Sequence, residues 1–527
     1  MDMVQTRWNG WGIPDHDDPL AINEPAWRWL AQAFGMPALL ATPPRELSTM
    51  TLPPSRLSQN ASQQLIVLLG NSGVQQNEFD RARHAAGRQL TDLLRLRAGD
   101  LSAAPDAVVY PRNEADVLAV LKLCASLGIA IIPFGGGTGH VTPARGHHHA
   151  SVTLNLSDLG RVQTVDMMSG LAEAEAGITG PELERQLAMR GMMLGHRPDS
   201  FEFSSLGGWI AAPGAGQEAA RYGEVGDWLQ ALRVATPQGL ITPHILPDLA
   251  QLMRGSQGAL GVITSASIRI RALPEQEEHR AYLFPDFASG LAVLREARRS
   301  GVPHAFARLS DDSETRYVQA LQRADRDWNF ADHIFDIYLS IRRMGSSAAR
   351  MIAGFSGSAG EVRAARKRFD ALAKRMGALA LGIDAGWRER RFAFGYRRDT
   401  LLDRGAAMDR LEISASWTDL PARYVAVRAA LKQAMRRHAP RSGAHGLVFC
   451  QVGPARPEGA TLTFTWAYPR ILEDAIAQAQ NIRQAALAAS TAHAQQSETL
   501  ERAVLRGVKA ATDPQGILNP GIAANDV

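Results

Sequence analysis

The sequence predicts an α+β protein made of two or three packed units. Its 527 residues exceed the length of a typical single domain. From Ala107 onward, short apolar segments typical of strands alternate with segments of helical periodicity, and the same mixture begins again after Pro274. Hydrophobic residues at 45% and charged residues at 21% are ordinary for a globular chain. Intrinsic disorder, a collagen-like repeat and a disulfide scaffold are therefore excluded for the chain as a whole.

Residues 1–100 are predicted to form an N-terminal extension wrapped over a larger domain. Tryptophans from Trp8 to Trp29 and many prolines share this stretch. Residues 79–96 have helical spacing, and the apolar run at 65–69 suits a buried strand.

Residues 101–274 form the next predicted unit and begin as β-α-β. A strand at 107–111 precedes a helix that Asn113 caps and Gly128 ends, and a buried strand follows at 129–133. A helix with proline in its first turn is predicted at 181–190. The further predicted strands are 151–156, 162–166, 172–176, 232–236 and 262–270.

Residues 275–470 are predicted to form a second α+β unit, and residues 471–527 a helical C-terminal segment. The predicted strands are 282–284, 305–309, 334–341, 351–355, 411–413, 446–452 and 460–467. The predicted helices are 287–300, 361–376, 472–489 and 500–512. Because no low-complexity linker separates the units, we expect them to pack tightly.

Charge and cysteine usage restrict the class of protein. The net charge of +4 is small for this length and argues against nucleic acid as a partner. The only cysteines, Cys124 and Cys450, stand in apolar contexts, which indicates a reducing compartment and neither a disulfide framework nor a metal site. No apolar run approaches 18 residues, and no signal layout opens the chain. We therefore expect a cytoplasmic protein without a transmembrane segment.

The most informative stretch is Pro133-Phe134-Gly135-Gly136-Gly137-Thr138-Gly139, where a buried strand runs into consecutive glycines. Glycines allow backbone N–H groups to converge on an anion, and a pyrophosphate would suit such a nest. Taken alone, a ligand-free glycine hairpin is an equally good interpretation, because the stretch lacks the Walker lysine and the dinucleotide fingerprint.

Three later segments change that balance. Residues 195–200, 203–209 and 255–264 place small polar residues and glycines close together, the last one feeding a strand. In this order the segments resemble the FAD-binding domain of the vanillyl-alcohol-oxidase and p-cresol-methylhydroxylase (PCMH) type. Within that group the chain resembles the alkyldihydroxyacetone-phosphate synthase family, whose phrases match residues 8–12, 175–187 and 198–204. The resemblance runs from residue 8 to the C-terminal tail.

The resemblance implies a two-lobed PCMH-type FAD-binding domain, an α+β cap domain and a C-terminal segment that returns to the FAD domain. It implies FAD as the cofactor. From the residues themselves we expect no metal, because the histidine triplet at 147–149 suits an exposed polar loop. In the synthase family the reactive nitrogen of the flavin attacks acyl-dihydroxyacetone phosphate, and a fatty alcohol replaces the fatty acid without net redox change. The residues that the resemblance assigns to FAD are Pro133, Phe134, Gly135, Gly136, Gly137, Thr138, Gly139, Asp199, Ser200, Ser204, Ser205, Gln257, Gly258, Gly261, Val262 and Ile263.

The chain departs from the family at its flavin contacts. The family phrase Thr-Arg-Ala-Ser falls on Ala212-Pro213-Gly214-Ala215, so a hydroxyl, a guanidinium and one backbone donor are lost. The glutamate of the family's Gly-Ser-Glu-Gly is Gln257 here, which removes a charge but keeps hydrogen-bonding capacity.

The candidate catalytic residues, Arg398, Thr463 and His493, also come from the resemblance. Arg398 matches the family's substrate-binding arginine and suits a phosphate or carboxylate, with a surface ion pair as the alternative. The catalytic tyrosine falls on Thr463, whose hydroxyl is shorter and much less acidic than a phenol. The family's histidine triplet falls on His493-Ala494-Gln495, so its central histidine is lost. Tyr468 and His196 could also take part, but packing roles are favoured for both.

Three functions remain open at this point. The chain could be an FAD-dependent oxidoreductase-like enzyme whose chemistry has changed, for example to the oxidation of a hydroxy acid or alcohol. It could still be an alkyldihydroxyacetone-phosphate synthase of ether-lipid biosynthesis. It could also be a non-catalytic flavin-binding homologue that acts through a partner. We expect a small-molecule or lipid-like substrate, and the sequence leaves open a peripheral membrane contact and a homodimer.

Overall fold

A computed structural model describes most of the chain and gives the bounds of its elements. The described residues are 6–14, 22–139, 150–212, 214–243, 252–324, 339, 344–384, 386–491, 499–520 and 522. The helices are α1 Glu24–Ala33, α2 Gln59–Leu69, α3 Glu78–Arg83, α4 Leu90–Ala98, α5 Glu114–Leu127, α6 Gly180–Ala188, α7 Leu206–Ala211, α8 Ala219–Tyr222, α9 Val225–Trp228, α10 Phe287–Arg299, α11 Asp312–Ala324, α12 Ala359–Arg375, α13 Trp387–Arg390, α14 Phe394–Leu402, α15 Leu420–Arg437, α16 Ala475–Thr491 and α17 Thr499–Thr512. The strands are β1 Val74–Gln75, β2 Ala107–Val109, β3 Ala130–Phe134, β4 Ser151–Asn155, β5 Val162–Asp166, β6 Leu171–Glu175, β7 Met192–Met193, β8 Leu229–Thr236, β9 Gly239–Ile241, β10 Val262–Arg269, β11 Arg271–Ala272, β12 Gln276–Phe284, β13 Phe306–Ser310, β14 Ala349–Gly357, β15 Leu379–Ile383, β16 Ala406–Ser416, β17 Leu447–Ala455 and β18 Gly459–Pro469.

The first lobe is a four-stranded sheet in the order β1-β2-β4-β3. Strands β2 and β3 both run parallel to β4. Helix α5 connects β2 to β3, and its ends are the predicted ones: the Asn113 side chain accepts the backbone N–H of Asp116, and Gly128 takes a φ of 65°. The predicted β-α-β start is therefore confirmed, and it places the glycine run at the carboxyl end of β3.

The second lobe is a five-stranded antiparallel sheet in the order β5-β6-β10-β8-β9. Its apolar face packs on helices α6 and α7. The buried side chains of this contact include Ala172, Ala174, Leu183, Leu187, Leu206, Ile210 and Ala266. The two sheets confirm the two-lobed α+β arrangement.

A seven-stranded antiparallel sheet in the order β15-β12-β14-β13-β17-β18-β16 forms the cap. Successive side chains of each strand point to opposite faces. One face packs on α10, α12, α15 and α16 through buried residues such as Leu309, Cys450, Leu462 and Phe464. The residues between them in sequence, which include Arg308, Gln451 and Thr463, line cavities on the opposite face. This alternation brings charged and hydroxyl side chains together on one surface.

The first part of the C-terminal segment packs on the cap, and its last part returns to the first lobe. Helix α16 packs on the cap, where Ala479, Ile482 and Ala486 join the buried cluster of the seven-stranded sheet. The residues after α17 return to the first lobe, because Leu518 forms a parallel bridge with Ile131 and the side chain of Asn519 donates to the carbonyl of Gln257 at 2.7 Å. The return of this segment was expected from the resemblance, whereas the domain boundaries at 100, 274 and 470 stay a prediction.

One prediction about the N-terminal extension is wrong. Residues 65–69 belong to helix α2, which Ser58 caps and which buries Ala61, Leu65 and Leu69 on one face. The apolar run is continuous in sequence, but Val67 within it is exposed. The buried residues are instead four positions apart, which is the spacing of one face of a helix. The helical spacing at 79–96 corresponds to two helices, α3 and α4. The strand predicted at 334–341, in the second unit, lies almost wholly outside the described residues.

No helix in the described ranges is long and apolar enough to cross a membrane. The same ranges contain no group of three or more histidine, cysteine, aspartate or glutamate side chains placed to hold a metal ion.

Candidate active site

The glycine run lies against the later segments that the sequence analysis assigned to the same ligand. A Cβ added to Gly136 would overlap the carbonyl oxygen of Phe203, and one added to Gly135 would overlap the hydroxyl of Ser205. Gly258, with a φ of 78°, lies against Pro133 in the same way, since an added Cβ would be 2.8 Å from the proline Cγ. Only glycine lets these three backbone segments approach so closely.

The three segments enclose a cavity of about 280 Å³, which we call the glycine-lined cavity. Every residue assigned to FAD lines it except Asp199, which lines the neighbouring cavity instead. The lining residues that the sequence analysis did not assign to the cofactor are Leu156, Ala176, His196, Pro198, Gly207, Gly208, Trp209, Ala211, Ala212, Gly214 and Asn519. Asn519 gave no sequence signal, because it lies 262 positions from its partner Gln257.

Unpaired polar atoms in the wall of this cavity fit a polar ligand. His196 is 1% exposed and packs between the rings of Trp209 and Trp228, with centroids 5.0 and 5.2 Å away. Neither of its ring nitrogens has a hydrogen-bond partner among the described residues, and the side-chain oxygen of Asn519 has none either. Burial lowers the pKa of His196 to about 3, so the ring is neutral near pH 7. Because buried polar atoms normally find partners, the cavity fits a ligand with acceptors and donors along its length, such as a dinucleotide.

A second cavity, the inner cavity, adjoins the glycine-lined cavity and lies between the FAD lobes and the cap. Thr138, Pro198, Ser200 and Gly214 line both. Two of the three predicted catalytic residues, Arg398 and Thr463, line the inner cavity, whereas His493 lies outside the described residues. The remaining lining residues include Trp11, Phe394, Arg410, Glu412 and Thr461.

Arg398 is a buried cation in the wall of the inner cavity. Helix α14 carries it, and it is 5% exposed, with its guanidinium 5.7 Å from the ring centres of Trp11 and of Phe394. Among the described residues, its Nε and Nη2 atoms have no hydrogen-bond partner, and no carboxylate is within ion-pairing distance of its guanidinium. Burial lowers the pKa of Arg398, although a nearby charge, that of Asp399, opposes this shift.

Two further arginines surround Asp199 at the junction of the cavities. Arg410 forms an ion pair with Asp199, and Arg308 lies 3.8 Å from the same carboxylate. Gln451 accepts from Arg308 at 2.5 Å and donates to Glu314 at 2.5 Å. Burial lowers the pKa of Arg410 to about 10 and raises that of Glu314 to about 7. This cluster could not be predicted from the sequence, because nothing distinguishes these two arginines from the 50 others until the strands pair.

The face of β18 that lines the cavities carries threonines. Thr461 and Thr463 line the inner cavity, and Thr465 lines the next one. Tyr468 has the opposite parity and is fully buried in the core of the cap, as the sequence analysis favoured. None of the described residues that line the inner cavity is a tyrosine.

A third cavity of about 440 Å³, the outer cavity, continues from the inner one. Asp199, Arg308, Phe394 and Arg410 line both. Its wall combines apolar and cationic groups, which are Ile22, Ala26, Tyr317, Val318, Leu321, Ile352, Trp387, Met408, Phe449, Arg350, Arg390, Arg391 and Arg397. Such a wall could accept an organic anion with an apolar part.

Two family models match the chain. Residues 105–242 match the model described as FAD binding domain. Residues 273–491 and 492–522 match the model described as FAD linked oxidases, C-terminal domain. The two matches together cover the glycine run, the cap sheet and the returning C-terminal segment.

Curated relatives with similar sequences include alkyldihydroxyacetonephosphate synthases. The protein of that name from Dictyostelium discoideum is 30% identical over 441 residues, which cover 81% of this chain and 71% of the relative. The one from Trypanosoma brucei brucei is 28% identical over 494 residues, covering 88% and 80%. A mitochondrial D-lactate dehydrogenase [cytochrome] from Arabidopsis thaliana is 29% identical over 225 residues, covering 41% and 39%.

Solved structures show the same fold. A structure of alkyldihydroxyacetonephosphate synthase superposes with a TM-score of 0.87 at 26% identity and covers 98% of both chains. The structure of p-cresol methylhydroxylase with substrate bound superposes with a TM-score of 0.65 at 15% identity, covering 89% of this chain and 98% of that one. The second likeness shows the fold alone.

Proposed function

Because this chain belongs to the family of FAD-linked oxidases that includes the alkyldihydroxyacetonephosphate synthases, and has FAD as its cofactor, we propose that it is an FAD-dependent enzyme with chemistry changed from ether-lipid synthesis. The proposed reaction oxidises a small organic anion, a hydroxy acid or a phosphorylated alcohol, at its hydroxyl-bearing carbon. The observation that carries this proposal is the buried Arg398 guanidinium, which lacks a carboxylate partner among the described residues and lines the cavity next to the cofactor.

The electrostatics of Arg398 favour an anionic substrate. A buried charge without an ion-pair partner is costly, because burial removes its hydration, and for Arg398 the nearby charge of Asp399 offsets only part of that loss. A carboxylate or phosphate in the inner cavity would supply that partner and would accept hydrogen bonds from the planar guanidinium. Arg410 cannot take this role as readily, since Asp199 already neutralises it.

The polar row on the cap sheet supplies the remaining groups. FAD, when bound, provides a two-electron acceptor. Oxidation of an alcohol to a carbonyl removes a hydride from its carbon, which such an acceptor would take up, and a proton from its hydroxyl. Thr463 donates a hydrogen bond to the oxygen of the substrate hydroxyl, and Glu412, its direct neighbour across the sheet, takes the hydroxyl proton.

The same row disfavours the synthase reaction. By the resemblance, that reaction uses a phenol at the position of Thr463 and a histidine triplet at 493–495. A threonine hydroxyl does not ionise in the range where a phenol does, so it cannot act as the same proton donor. The lack of a phenol among the described residues that line the inner cavity is the reason for proposing a changed reaction.

One observation favours the synthase as a second candidate. The outer cavity brings an apolar wall and several arginines together, which would suit a long alkyl chain and a phosphate in one molecule. In that case another residue would take the place of the family's catalytic tyrosine, and the protein would still synthesise ether lipids.

An anaerobic flavin-bleaching experiment tests the proposal. The purified holoenzyme is mixed with a panel that contains D-lactate, glycolate, longer 2-hydroxy acids, glycerol phosphates and uncharged alcohols. We expect a member of the anionic group to bleach the flavin absorbance, whereas the uncharged alcohols leave it unchanged. A parallel assay follows labelled fatty alcohol into the ether of dihydroxyacetone phosphate.

The outcomes separate the three functions. Bleaching by an anion without ether formation supports the proposal, and ether formation without bleaching supports the synthase. If neither occurs with FAD bound at a ratio near one, the non-catalytic homologue becomes the better description and the proposal fails.

A further inference from the structure

The N-terminal segment 7–12 reaches the inner cavity from the far end of the chain. The backbone N–H of Trp11 donates to the Asp399 carboxylate at 2.6 Å, and Arg7 forms an ion pair with the same group at 3.4 Å. The buried Arg88 side chain donates to the carbonyl oxygens of Gly10 and Arg7 at 2.9 and 2.8 Å. The segment is therefore fixed on both sides by charged groups of the folded domain.

The indole of Trp11 forms part of the cavity wall. It is 7% exposed and meets the ring of Phe203 edge-on, with centroids 5.7 Å apart. Gly395 leaves room for it, because a Cβ at that position would overlap the indole ring. The Arg398 guanidinium also lies near the indole, 5.7 Å from the ring centre. Close packing on these sides gives the indole one orientation.

Trp11 and Arg398 both carry buried donors without partners. The indole Nε1 of Trp11 has no hydrogen-bond partner among the described residues, and neither do Nε and Nη2 of Arg398. A buried tryptophan N–H normally finds an acceptor. Three donors without acceptors, on two neighbouring side chains that line one cavity, point to a missing acceptor that is rich in oxygen.

We propose that Trp11 and Arg398 together form one anion subsite, in which the indole N–H and the guanidinium bind the carboxylate or phosphate of the substrate. Trp11 is then a specificity-determining residue supplied by the N-terminal segment. The inference rests on the proposed function in one respect, namely that the substrate is an anion. It does not depend on which reaction follows.

Anion titration of the holoenzyme tests the subsite without turnover. Inorganic phosphate and oxalate, which represent the two anion classes and leave the flavin oxidised, are titrated while the flavin difference spectrum is recorded. The variants are Trp11→Phe, Trp11→His and Arg398→Met. The matched control is Trp466→Phe, since Trp466 is also a buried tryptophan with an unpartnered N–H but belongs to the core face of the cap sheet.

We expect Trp11→Phe to raise the dissociation constant of the preferred anion by about tenfold or more, because a hydrogen bond to a charged group is lost while the aromatic ring is kept. Trp11→His, which retains a ring N–H, should lie between wild type and Trp11→Phe. Trp466→Phe should bind the anion as wild type does. If Trp11→Phe does not accumulate as holoenzyme, Trp11→Leu takes its place as the variant without a donor.

The outcomes distinguish the subsite from the proposed function. Wild-type affinity in Trp11→Phe, together with loss of binding in Arg398→Met, overturns the role of Trp11 and leaves the anionic substrate in place. A wild-type holoenzyme that binds neither phosphate nor oxalate overturns both. Anion binding that Trp11→Phe weakens, in an enzyme that no substrate bleaches, supports the subsite and contradicts the proposed oxidation.

Discussion

Thr463 on β18 and Glu412 on β16 lie directly opposite each other in an antiparallel pair, and both line the inner cavity. Gln451 on β17 is the partner of Thr463 on its other side. Directly opposed side chains have Cβ atoms about 5 Å apart. A hydroxyl, a carboxylate and an amide therefore form one polar row across the cap sheet, facing the cofactor-binding lobes.

Replacement of Glu412 tests the proton-accepting role. Glu412→Gln keeps the size and hydrogen-bonding capacity of the side chain but removes its basicity. We expect the rate constant of anaerobic flavin reduction by the anionic substrate to fall about 100-fold, with little change in FAD content. Stopped-flow absorbance measures that rate. Glu458→Gln, in the exposed turn between β17 and β18, is the matched control and should react at the wild-type rate.

An unchanged reduction rate in Glu412→Gln would remove the carboxylate from the mechanism. The anion subsite would be unaffected by that result, because Arg398 lies on a different element.

Removal of the Arg398 charge should separate activity from stability. In Arg398→Met we expect KM for the anionic substrate to rise about 100-fold, since the substrate anion loses its charged partner. The thermal unfolding midpoint should stay the same or rise, because the variant removes a buried charge that has no ion pair among the described residues. Steady-state kinetics and calorimetry provide the two measurements.

The matched control for that change is Arg112→Met. Arg112 pairs with Asp116 on the surface, and its side chain is 61% exposed. Both KM and the unfolding midpoint should stay close to wild type. A large drop in the unfolding midpoint of Arg398→Met would mean that Arg398 stabilises the fold, and would contradict the proposal that its role is to bind an anionic ligand.

The elements of the fold that the sequence predicted correctly are those whose ends are marked by a few neighbouring residues. Asn113 and Gly128 mark the ends of α5 because a side-chain cap and a left-handed glycine are properties of a few adjacent residues. The run at 65–69 was wrongly predicted as a strand because five consecutive apolar residues are typical of a buried strand. The burial of Ala61, Leu65 and Leu69 shows that one face of a helix is buried instead.

The part of the candidate site that depends on glycine packing could be predicted from the sequence. The part that depends on strand register and long-range contacts could not. The run around Gly136 stood out because consecutive glycines are rare and serve close backbone approach. Trp11 and Asp399 are 388 positions apart, and only the folded chain brings them together. Arg308 and Arg410 likewise reach the cavity because of strand pairing and alternation, which single arginines do not reveal.

A single methyl group on Gly136 should empty the cofactor site. In Gly136→Ala the added Cβ would overlap the carbonyl oxygen of Phe203, so the glycine run and the 203–205 segment must separate. We expect the FAD-to-protein ratio to fall from near one to below about one tenth, as seen in the absorbance after denaturation. Gly360→Ala is the control, because its Cβ would meet no atom within 4 Å. Full FAD content in Gly136→Ala would show that the two segments can separate without loss of the cofactor.

The buried His84 should make the protein sensitive to acid. Its Nδ1–H donates to the carbonyl oxygen of Asp80 at 2.7 Å, and its Nε2 accepts from the amide of Asn155 at 2.9 Å. Burial lowers the pKa of His84 to about 3, against an ordinary value of 6.5. Between those values the unfolded chain binds a proton that the folded chain does not, so this group reduces stability as the pH falls below 6.5.

His84→Gln tests that linkage through the pH dependence of unfolding. From pH 7 to pH 5 the His84 contribution to the free energy of unfolding should fall by about 2 kcal/mol. The variant is less stable at pH 7, because its new side chain cannot satisfy both partners, but its loss between pH 7 and pH 5 should be smaller than that of wild type by about this amount. Urea unfolding at the two pH values gives the difference, and His445→Gln, at a partly exposed site, serves as the control. Equal losses in His84→Gln and wild type would mean that His84 takes up its proton in the folded state as readily as in the unfolded one.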